Sequence, residues 1–445
     1  MTAAAATTQR VSARELALAV VRDVFGPDER GAHAAFDARA RKTSLDARDR
    51  AFAAELAYGA IKQRRLIDWY LAPYLAGRAK PLPPAIREIL RLGVYQVRML
   101  SGVDAHAAVY ETVNLALRHG HRGTAGLVNA VLRRFIADDP PPPHPSDFET
   151  FDDYLGTAYS MPTWITTQFG RVFGEAREAI LAGINAPPQH AVRVNRLRAT
   201  VDAAGSALTA GDNHVRRSSL VAESLIVVKG HADDDPEGRW SIQSETAAVP
   251  VDVLEPQPGE RVVDLCAGRG NKSVQAAARM EDRGELYCVE IESRKAKMLR
   301  ENLERAGVTC AAVVEGDARL VELPQADAVL VDAPCSGLGI LGRHPEARWR
   351  KSPHDGSRLS ALQAGLLDVA ATHVKAGGRI VYSVCSADPR EGIELVQALL
   401  DRDGRFQRLP FVARYGEFAA GGDLLIPPGI EGRDGFFIAN LARTS

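Results

Sequence analysis

Apolar residues recur at intervals of three and four through 16–21, 52–61, 86–100 and 107–117, so the first 136 residues are predicted to form amphipathic helices packed as a bundle. Pro81, Pro83 and Pro84 break two of these helices apart, and Gly120 and Gly123 separate two others. The following Asp138-Asp-Pro-Pro-Pro-Pro-His-Pro145 suits neither a helix interior nor an inner strand, because proline lacks the amide donor. From 155 to 250 the pattern is mixed: helical spacing over 164–173 and 176–184 precedes short β-like runs at 191–195 and 224–228. Beyond 260, strand-length apolar runs alternate with helical stretches, the pattern of a parallel sheet flanked by helices. Its strands are predicted at 261–266, 285–290, 311–314, 328–332 and 379–383. The expected architecture is multidomain: an all-α bundle over 1–137, a Pro-rich linker over 138–154, a small α+β module over 155–250, and an α/β Rossmann-like domain over 251–445.

Composition changes this picture little: of 445 residues, 46% are hydrophobic and 25% charged, which excludes wholesale disorder. Charge adds an asymmetry. Residues 1–140 carry 21 Lys and Arg against 14 Asp and Glu, and the remainder 34 against 42, so a basic front end precedes an acidic body. That polarity suits a nucleic-acid partner, although a solvated Arg-rich helical surface gives the same count. All five cysteines lie at or after Cys266, an odd number that suggests no disulfide framework. No Cys/His spacing suits zinc, and no metal is expected. The first ten residues lack a signal peptide's apolar core, and no run approaches bilayer length. The chain is therefore expected in the reducing cytoplasm, away from membranes; a monomer is expected.

Candidate chemistry gathers where the predicted strands end, which is where ligands bind in such sheets. After the first strand comes Asp264-Leu-Cys-Ala-Gly-Arg-Gly-Asn-Lys-Ser273, in which Gly268 and Gly270 permit a tight turn that approaches a ligand closely. Glu290 closes the second strand about twenty residues on, where an acid accepts hydrogen bonds from ribose hydroxyls. Asp317, after the third, is a second acceptor, suited to an adenine amino group. With neither a P-loop Gly-Lys-Ser/Thr nor an Arg cluster for pyrophosphate, the set favours S-adenosylmethionine over ATP or NAD. Strand-end acids acting as helix caps would explain each residue singly, but not the set.

Two cysteines follow later strands, Cys335 in Asp332-Ala-Pro-Cys-Ser-Gly337 and Cys385 in Tyr382-Ser-Val-Cys-Ser-Ala387. Paired thiols beside a cofactor pocket fit methylation of an unactivated pyrimidine carbon. One thiolate adds to the ring and makes the neighbouring carbon nucleophilic, and a second group assists release. Both cysteines follow strands, so position alone does not order their roles. Lys272, near a helix start, would favour a nearby thiolate. Cys288 and Cys310 are expected to be buried apolar residues. Arg343, Arg348 and Arg350 surround Trp349, a grouping that suits phosphate contact and base stacking on single-stranded RNA. A loop anchored by one buried Trp is the structural alternative. Arg193, Asn195 and Trp164 are further RNA-contact candidates, with packing as the equal alternative.

In the helical region, Arg50-Ala-Phe-Ala-Ala-Glu-Leu-Ala-Tyr-Gly59, Leu92-Gly-Val-Tyr-Gln96, His106-Ala-Ala-Val-Tyr-Glu-Thr-Val113 and Gly126-Leu-Val-Asn-Ala-Val-Leu-Arg133 resemble the RNA-binding fold of the antitermination factor NusB. Further on, the stretch 264–273, Asp332-Ala-Pro-Cys-Ser-Gly337, Arg343-His-Pro-Glu-Ala-Arg-Trp-Arg350, Gly377-Gly-Arg-Ile-Val-Tyr-Ser-Val-Cys-Ser386 and Asp434-Gly-Phe-Phe-Ile-Ala439 resemble the Sun/Fmu family of bacterial small-subunit ribosomal RNA methyltransferases that make 5-methylcytosine. The likeness covers nearly the whole chain, with Asn195 and Gln243 in the lead-in. It implies a nucleophile at Cys385, adduct release by Cys335, and Asp332 on the cytosine edge. It implies S-adenosylmethionine held by Cys266, Ala267, Gly268, Arg269, Gly270, Asn271, Lys272, Glu290, Asp317 and Asp332.

The chain departs from that family's pattern in three places. Where the family reads Cys-Ala-Ala-Pro-Gly-Gly-Lys-Thr, Arg269 replaces the proline and Asn271 a glycine, an exchange expected to survive because Asn tolerates left-handed backbone. Pro389-Arg-Glu-Gly392 lacks the Asn of Pro-x-Glu-Asn, and Gln243-Ser244 stands for Gln-Asp. Two rival readings remain. One is the same chemistry on tRNA; the other is a non-catalytic RNA-binding assembly factor on a decayed fold, which the intact Cys335, Cys385, Asp332 and Lys272 oppose.

Overall fold

The computed structural model describes residues 11–27 and 30–444, so the reading of the first ten residues lies outside the described residues. Contacts divide the chain into two units, Met1–Thr167 with His344–Arg350, and Gln168–Arg343 with Lys351–Ser445.

The first unit is built on helices α1 (Ala13–Val24), α2 (Ala32–Ala40), α3 (Ala47–Lys62), α4 (Arg64–Leu75), α5 (Pro84–Arg98), α6 (Ala105–His119) and α7 (Arg122–Asp138). Their starts are written in the sequence. Ser12 and Glu15 form a reciprocal capping box on α1, and Asp46 and Asp104 cap α3 and α6. Pro84 opens α5, where a missing amide costs nothing. Ile86, Ile89, Leu90, Leu92 and Val94 make α5 the buried centre of the bundle. Two of the short phrases quoted above meet there. A Cβ added at Gly59 of α3 would lie 1.9 Å from the Tyr95 ring, so the two helices approach only because position 59 has no side chain. Tyr95 then donates its hydroxyl proton to Glu55 at 2.6 Å.

The Pro-rich stretch is partly folded. A turn at Pro145–Asp147 leads to α8 (Phe151–Ala158), which opens within the expected linker, and α9 (Thr163–Phe173) follows. Arg65 on α4 donates to the Met161 carbonyl and the Thr163 hydroxyl, both at 2.8 Å, and to the Thr157 hydroxyl at 3.1 Å. That fan of donors draws 157–163 onto the bundle, so the chain as far as Thr167 packs with the helices.

The second unit begins with α10 (Arg177–Asn185), β1 (His190–Val194), α11 (Val201–Ala210), β2 (His214–Arg217), β3 (Ser224–Lys229) and β4 (Trp240–Ile242). The strands form an antiparallel sheet in the order β2-β3-β1-β4. Val192, Val194, Leu225, Val227 and Trp240 pack with Ala204 and Leu208 of α11 as its small core.

The larger sheet follows α12 (Val249–Leu254). Its elements are β5 (Arg261–Asp264), α13 (Asn271–Arg279), β6 (Glu285–Glu290), α14 (Ser293–Ala306), β7 (Ala311–Glu315) and β8 (Ala326–Asp332). After α15 (Ala347–Arg350) and α16 (Asp355–His373) come β9 (Val374–Val384), α17 (Ile393–Arg402), β10 (Phe406–Arg408), β11 (Ala419–Ala420), β12 (Asp423–Ile426) and β13 (Phe436–Arg443). The order β7-β6-β5-β8-β9 is parallel, as expected, and reverses between β5 and β8. The sheet then continues antiparallel through β13, β12 and β11, with β10 on β13, so it is mixed rather than wholly parallel. Val263, Val329, Val331 and Ile380 fill one face and Val262, Leu286, Leu330 and Val381 the other, the two-sided burial that parallel strands require. Among the described residues no helix is long and apolar enough to cross a membrane.

Candidate active site

The carboxyl ends of β5, β6, β7, β8 and β9 carry most of the candidate residues. Beyond β5, Gly268 and Gly270 hold φ of 58° and 90°, a region that other residues enter at a cost. A Cβ at 270 would meet Leu299 Cδ1 at 2.5 Å, whereas the space beside Gly268 is open. Asn271 does not take the left-handed angles expected of it. It is the first residue of α13, and the positive φ falls one position earlier, on a glycine. Arg269 is exposed, and its carbonyl accepts from Asn302 Nδ2 at 2.7 Å.

Carboxylates surround this turn. Asp264 is buried and accepts from the Ser273 hydroxyl at 2.7 Å. Burial, partly offset by that hydrogen bond, pushes its pKa up to about 6. Cys266 is raised well above the usual thiol range by burial and then by the negative charge of Asp264, Asp332, Glu290 and Asp317, so a neutral sulfur lines the turn. Glu290 gives one oxygen to the Glu292 amide at 2.8 Å. Asp317 is more heavily engaged: Arg319 grips it through Nη2 at 2.6 Å and Nε at 3.0 Å, and the Arg319 amide adds a third bond at 3.0 Å. A carboxylate has about four acceptor sites, which leaves one here for a ligand amino group.

On the other side of the strand-order reversal, Cys335 follows β8 and Cys385 follows β9, strands that pair directly. Their Sγ atoms lie 3.2 Å apart, and both cysteines are free thiols. Contact with Cys385, then burial, pushes the Cys335 thiol well above its usual range, with the negative charge of Glu391 adding to it. Asp332 ends β8 with its two oxygens divided between Lys272 Nζ at 2.6 Å and the Ser383 hydroxyl at 2.8 Å. Lys272 also stands 5.5 Å from the Phe436 ring. Its ammonium is thus committed to a carboxylate, where the sequence reading aimed it at a thiol. Cys288 is buried as expected, whereas Cys310 is partly exposed.

The RNA-contact candidates engage other parts of the protein, which for Arg193, Asn195 and Trp349 is the packing alternative. Arg193 is buried on β1, donating to Gln243 Oε1 at 2.6 Å and to the Asn271 carbonyl at 3.1 Å. Asn195 is buried, with Nδ2 on the Gly238 and Ala306 carbonyls, each at 2.9 Å. Arg348 is fully buried, with Nη1 3.2 Å from the Ser160 carbonyl, and burial lowers its pKa to about 9. Trp349 packs on the helical core and donates Nε1–H to the Ile61 carbonyl at 2.7 Å. Arg350 donates to the carbonyls of Val24 and Arg30. Arg343 is half-buried, pairs with Asp434 at 2.8 Å and donates to the Gln189 carbonyl. These side chains hold protein carbonyls and carboxylates. A basic stretch in one dimension is an internal scaffold in three.

Sequence reasoning missed Ser383, Phe436, Gln363 and Glu391, all of which touch the site or its loops. The available signal was a serine directly after each paired cysteine, together with the acid of Pro389-Arg-Glu-Gly392.

Known proteins resemble all three parts of the chain. The profile described as 16S rRNA methyltransferase RsmB/F matches residues 251–442, the NusB family profile 11–137, and the ferredoxin-like domain of RsmF/B-like methyltransferases 161–232. The ribosomal RNA small subunit methyltransferase B of Thermus thermophilus is 34% identical, with 97% of this chain and 98% of that protein covered. The probable ribosomal RNA small subunit methyltransferase B of Synechocystis is 33% identical over 97% of this chain and all of its own length. The counterpart from Bacillus subtilis, also described as probable, is 31% identical over 91% and 92%. Among solved structures, PH0851 superposes with a TM-score of 0.81 at 26% identity, covering 98% of this chain and 99% of that one. A Pyrococcus horikoshii methyltransferase homolog shares the fold at a TM-score of 0.60 and 24% identity, over 66% of this chain and the whole of that one. With a NusB-type helical unit, a ferredoxin-like module and paired thiols at the end of a mixed sheet, the chain belongs to the ribosomal RNA small subunit methyltransferase B family.

Proposed function

We propose that this chain methylates C5 of a cytosine in small-subunit ribosomal RNA, with S-adenosylmethionine as donor. The observation that supports it most is the 3.2 Å contact between the Cys335 and Cys385 sulfurs on paired strands. Cytosine C5 is too electron-poor to take a methyl group unaided. Addition of Cys385 Sγ to C6 forms an S–C6 bond and moves electron density to C5. Two sulfurs in contact do not both ionise, and the likeness of Gly377–Ser386 to the family motif assigns the attack to Cys385. Asp332, fixed by Lys272 and Ser383, meets the polar edge of the ring. Once C5 carries the methyl group, its proton passes to a base, the C5–H electron pair re-forms the C5=C6 bond, and Cys385 leaves C6 as a thiolate. Cys335 Sγ, 3.2 Å from Cys385 Sγ and no longer beside a thiolate while the adduct stands, is close enough to take that proton.

S-adenosylmethionine supplies, when bound, an electrophilic methyl group. The residues fit it: the open backbone at Gly268 gives room for close approach, and Glu290 and Asp317 offer acceptors for ribose and adenine. Cys266, Ala267, Arg269, Gly270, Asn271, Lys272 and Asp332 complete its surroundings. The NusB-type helices and the small antiparallel module serve RNA docking in this reading, in a cytoplasmic monomer.

Incubating transcribed small-subunit RNA and tRNA with methyl-labelled S-adenosylmethionine, followed by bisulfite sequencing, tests the proposal. Label in the ribosomal transcript at one protected cytosine is expected. Label in tRNA instead would change the substrate, and no label in either would overturn the reaction.

A further inference from the structure

Glu391 is fully buried in the turn Pro389–Glu391, and the reaction above makes no use of it. Its carboxylate accepts four hydrogen bonds. Oε1 takes the Ser336 amide at 2.8 Å and Gln363 Nε2 at 3.0 Å; Oε2 takes the Ser386 hydroxyl at 2.6 Å and also the Ser336 hydroxyl. The two hydroxyl oxygens lie 2.9 Å from each other. Ser336 directly follows Cys335, and Ser386 directly follows Cys385. One carboxylate therefore grips both thiol loops, one residue from each sulfur.

The grip is itself anchored. The Tyr382 hydroxyl donates to the Glu391 carbonyl at 2.6 Å, and the same Gln363 Nε2 reaches the Pro334 carbonyl at 2.9 Å. A buried carboxylate is costly unless its acceptor sites are filled, and here neutral donors from both loops and from Gln363 of α16 fill them. Releasing either loop would leave Glu391 with unfilled sites, so the arrangement resists small displacements.

We infer that Glu391 is a positioning residue that sets the contact between Cys335 and Cys385 by holding Ser336 and Ser386, an inference that rests on the proposed reaction. Glu391 is fully buried, and all its carboxylate partners are protein donors. Its effect passes through the loops to the sulfurs, and a displacement of about 1 Å at such a site costs on the order of 100-fold in rate. The negative charge of Glu391 also contributes, after Cys385 and burial, to keeping the Cys335 thiol neutral.

Glu391→Gln keeps the volume and one acceptor oxygen but puts a donor where two hydroxyls now donate. Methyl transfer to transcribed small-subunit RNA is measured for wild type, Glu391→Gln, Ser386→Ala and the double variant. The expected result is a kcat lowered on the order of 100-fold in Glu391→Gln, with KM for S-adenosylmethionine within about twofold of wild type. The double variant is expected to fall no further than Glu391→Gln alone, because both changes break one linkage. An unchanged kcat in folded Glu391→Gln, additive losses, or a loss confined to KM would each overturn the inference. Where Glu391→Gln fails to fold, Ser386→Ala decides: a kcat loss of about tenfold or more supports the inference, and a smaller one overturns it. An inactive wild type would overturn the reaction and this inference together, whereas a fully active variant overturns this inference alone.

Discussion

Lys272 Nζ lies 2.6 Å from Asp332 Oδ2, bringing a residue from the start of α13 onto the last residue of β8. The pair joins the glycine turn after β5 to the strand that leads to Cys335, so a change at one is felt at the other. Lys272→Met is expected to lower kcat on the order of 100-fold, as loss of one oriented polar group does at other sites. Both side chains retain some solvent contact, so the thermal midpoint should change little. Steady-state methyl transfer and calorimetry on the same preparation check both parts.

The two cysteines should fail differently. Cys385→Ala is expected to abolish transfer and form no adduct. Cys335→Ala should form the S–C6 bond and release it slowly, leaving protein covalently on RNA. A retarded, denaturant-resistant band on a gel with transcribed small-subunit RNA is the readout, and its absence from the Cys335 variant would show the roles to be wrongly ordered.

Asp264 predicts a pH dependence. Burial raises its carboxyl from an ordinary 3.8 to about 6, so the neutral form is favoured in the fold. The associated stability is fully present below pH 3.8 and is lost as pH rises through about 6, a displacement equivalent to roughly 3 kcal/mol. Asp264→Asn mimics the neutral form and should stabilise the second unit at pH 8 but not at pH 4. Thermal unfolding without cofactor at the two pH values tests the sign.

Trp349 should behave as a packing residue. Trp349→Ala is expected to destabilise the helical unit by about 2–4 kcal/mol, through lost contacts and an unpaired Ile61 carbonyl. Trp349→Phe, which removes the donor and part of the ring, should cost less, on the order of 1–2 kcal/mol. The slope of RNA affinity against salt should stay unchanged in both, because neither substitution removes a phosphate contact.

The sequence carried the periodic elements well. Strands at 285–290 and 328–332 match β6 and most of β8, because short, mostly buried apolar runs between turn residues mark parallel strands. The antiparallel β13 beside β9 was not foreseen, since Asp434-Gly-Phe-Phe-Ile-Ala439 gives no sign of which neighbour it will pair with. At the site, glycines and strand-end acids were legible because their chemistry is local. The fate of Arg193 and Arg348 was not: whether a guanidinium meets phosphate or protein carbonyls depends on the Asn271 and Ser160 carbonyls, which lie far away in sequence. Glu391 escaped for the same reason, since its donors come from loops 5 and 55 positions away.

β9 pairs with β8 on one side and β13 on the other, so the strand leading to Cys385 has no free edge. Cys385 stands one residue past Val384, the last residue of β9, so it follows a strand anchored on both sides rather than one fraying at an open edge. In the proposed reaction the motion must therefore belong to the nucleotide. The target cytosine has to swing out of its own stack to meet a stationary thiol, which makes a mismatched or unpaired position in the RNA the least costly place to modify.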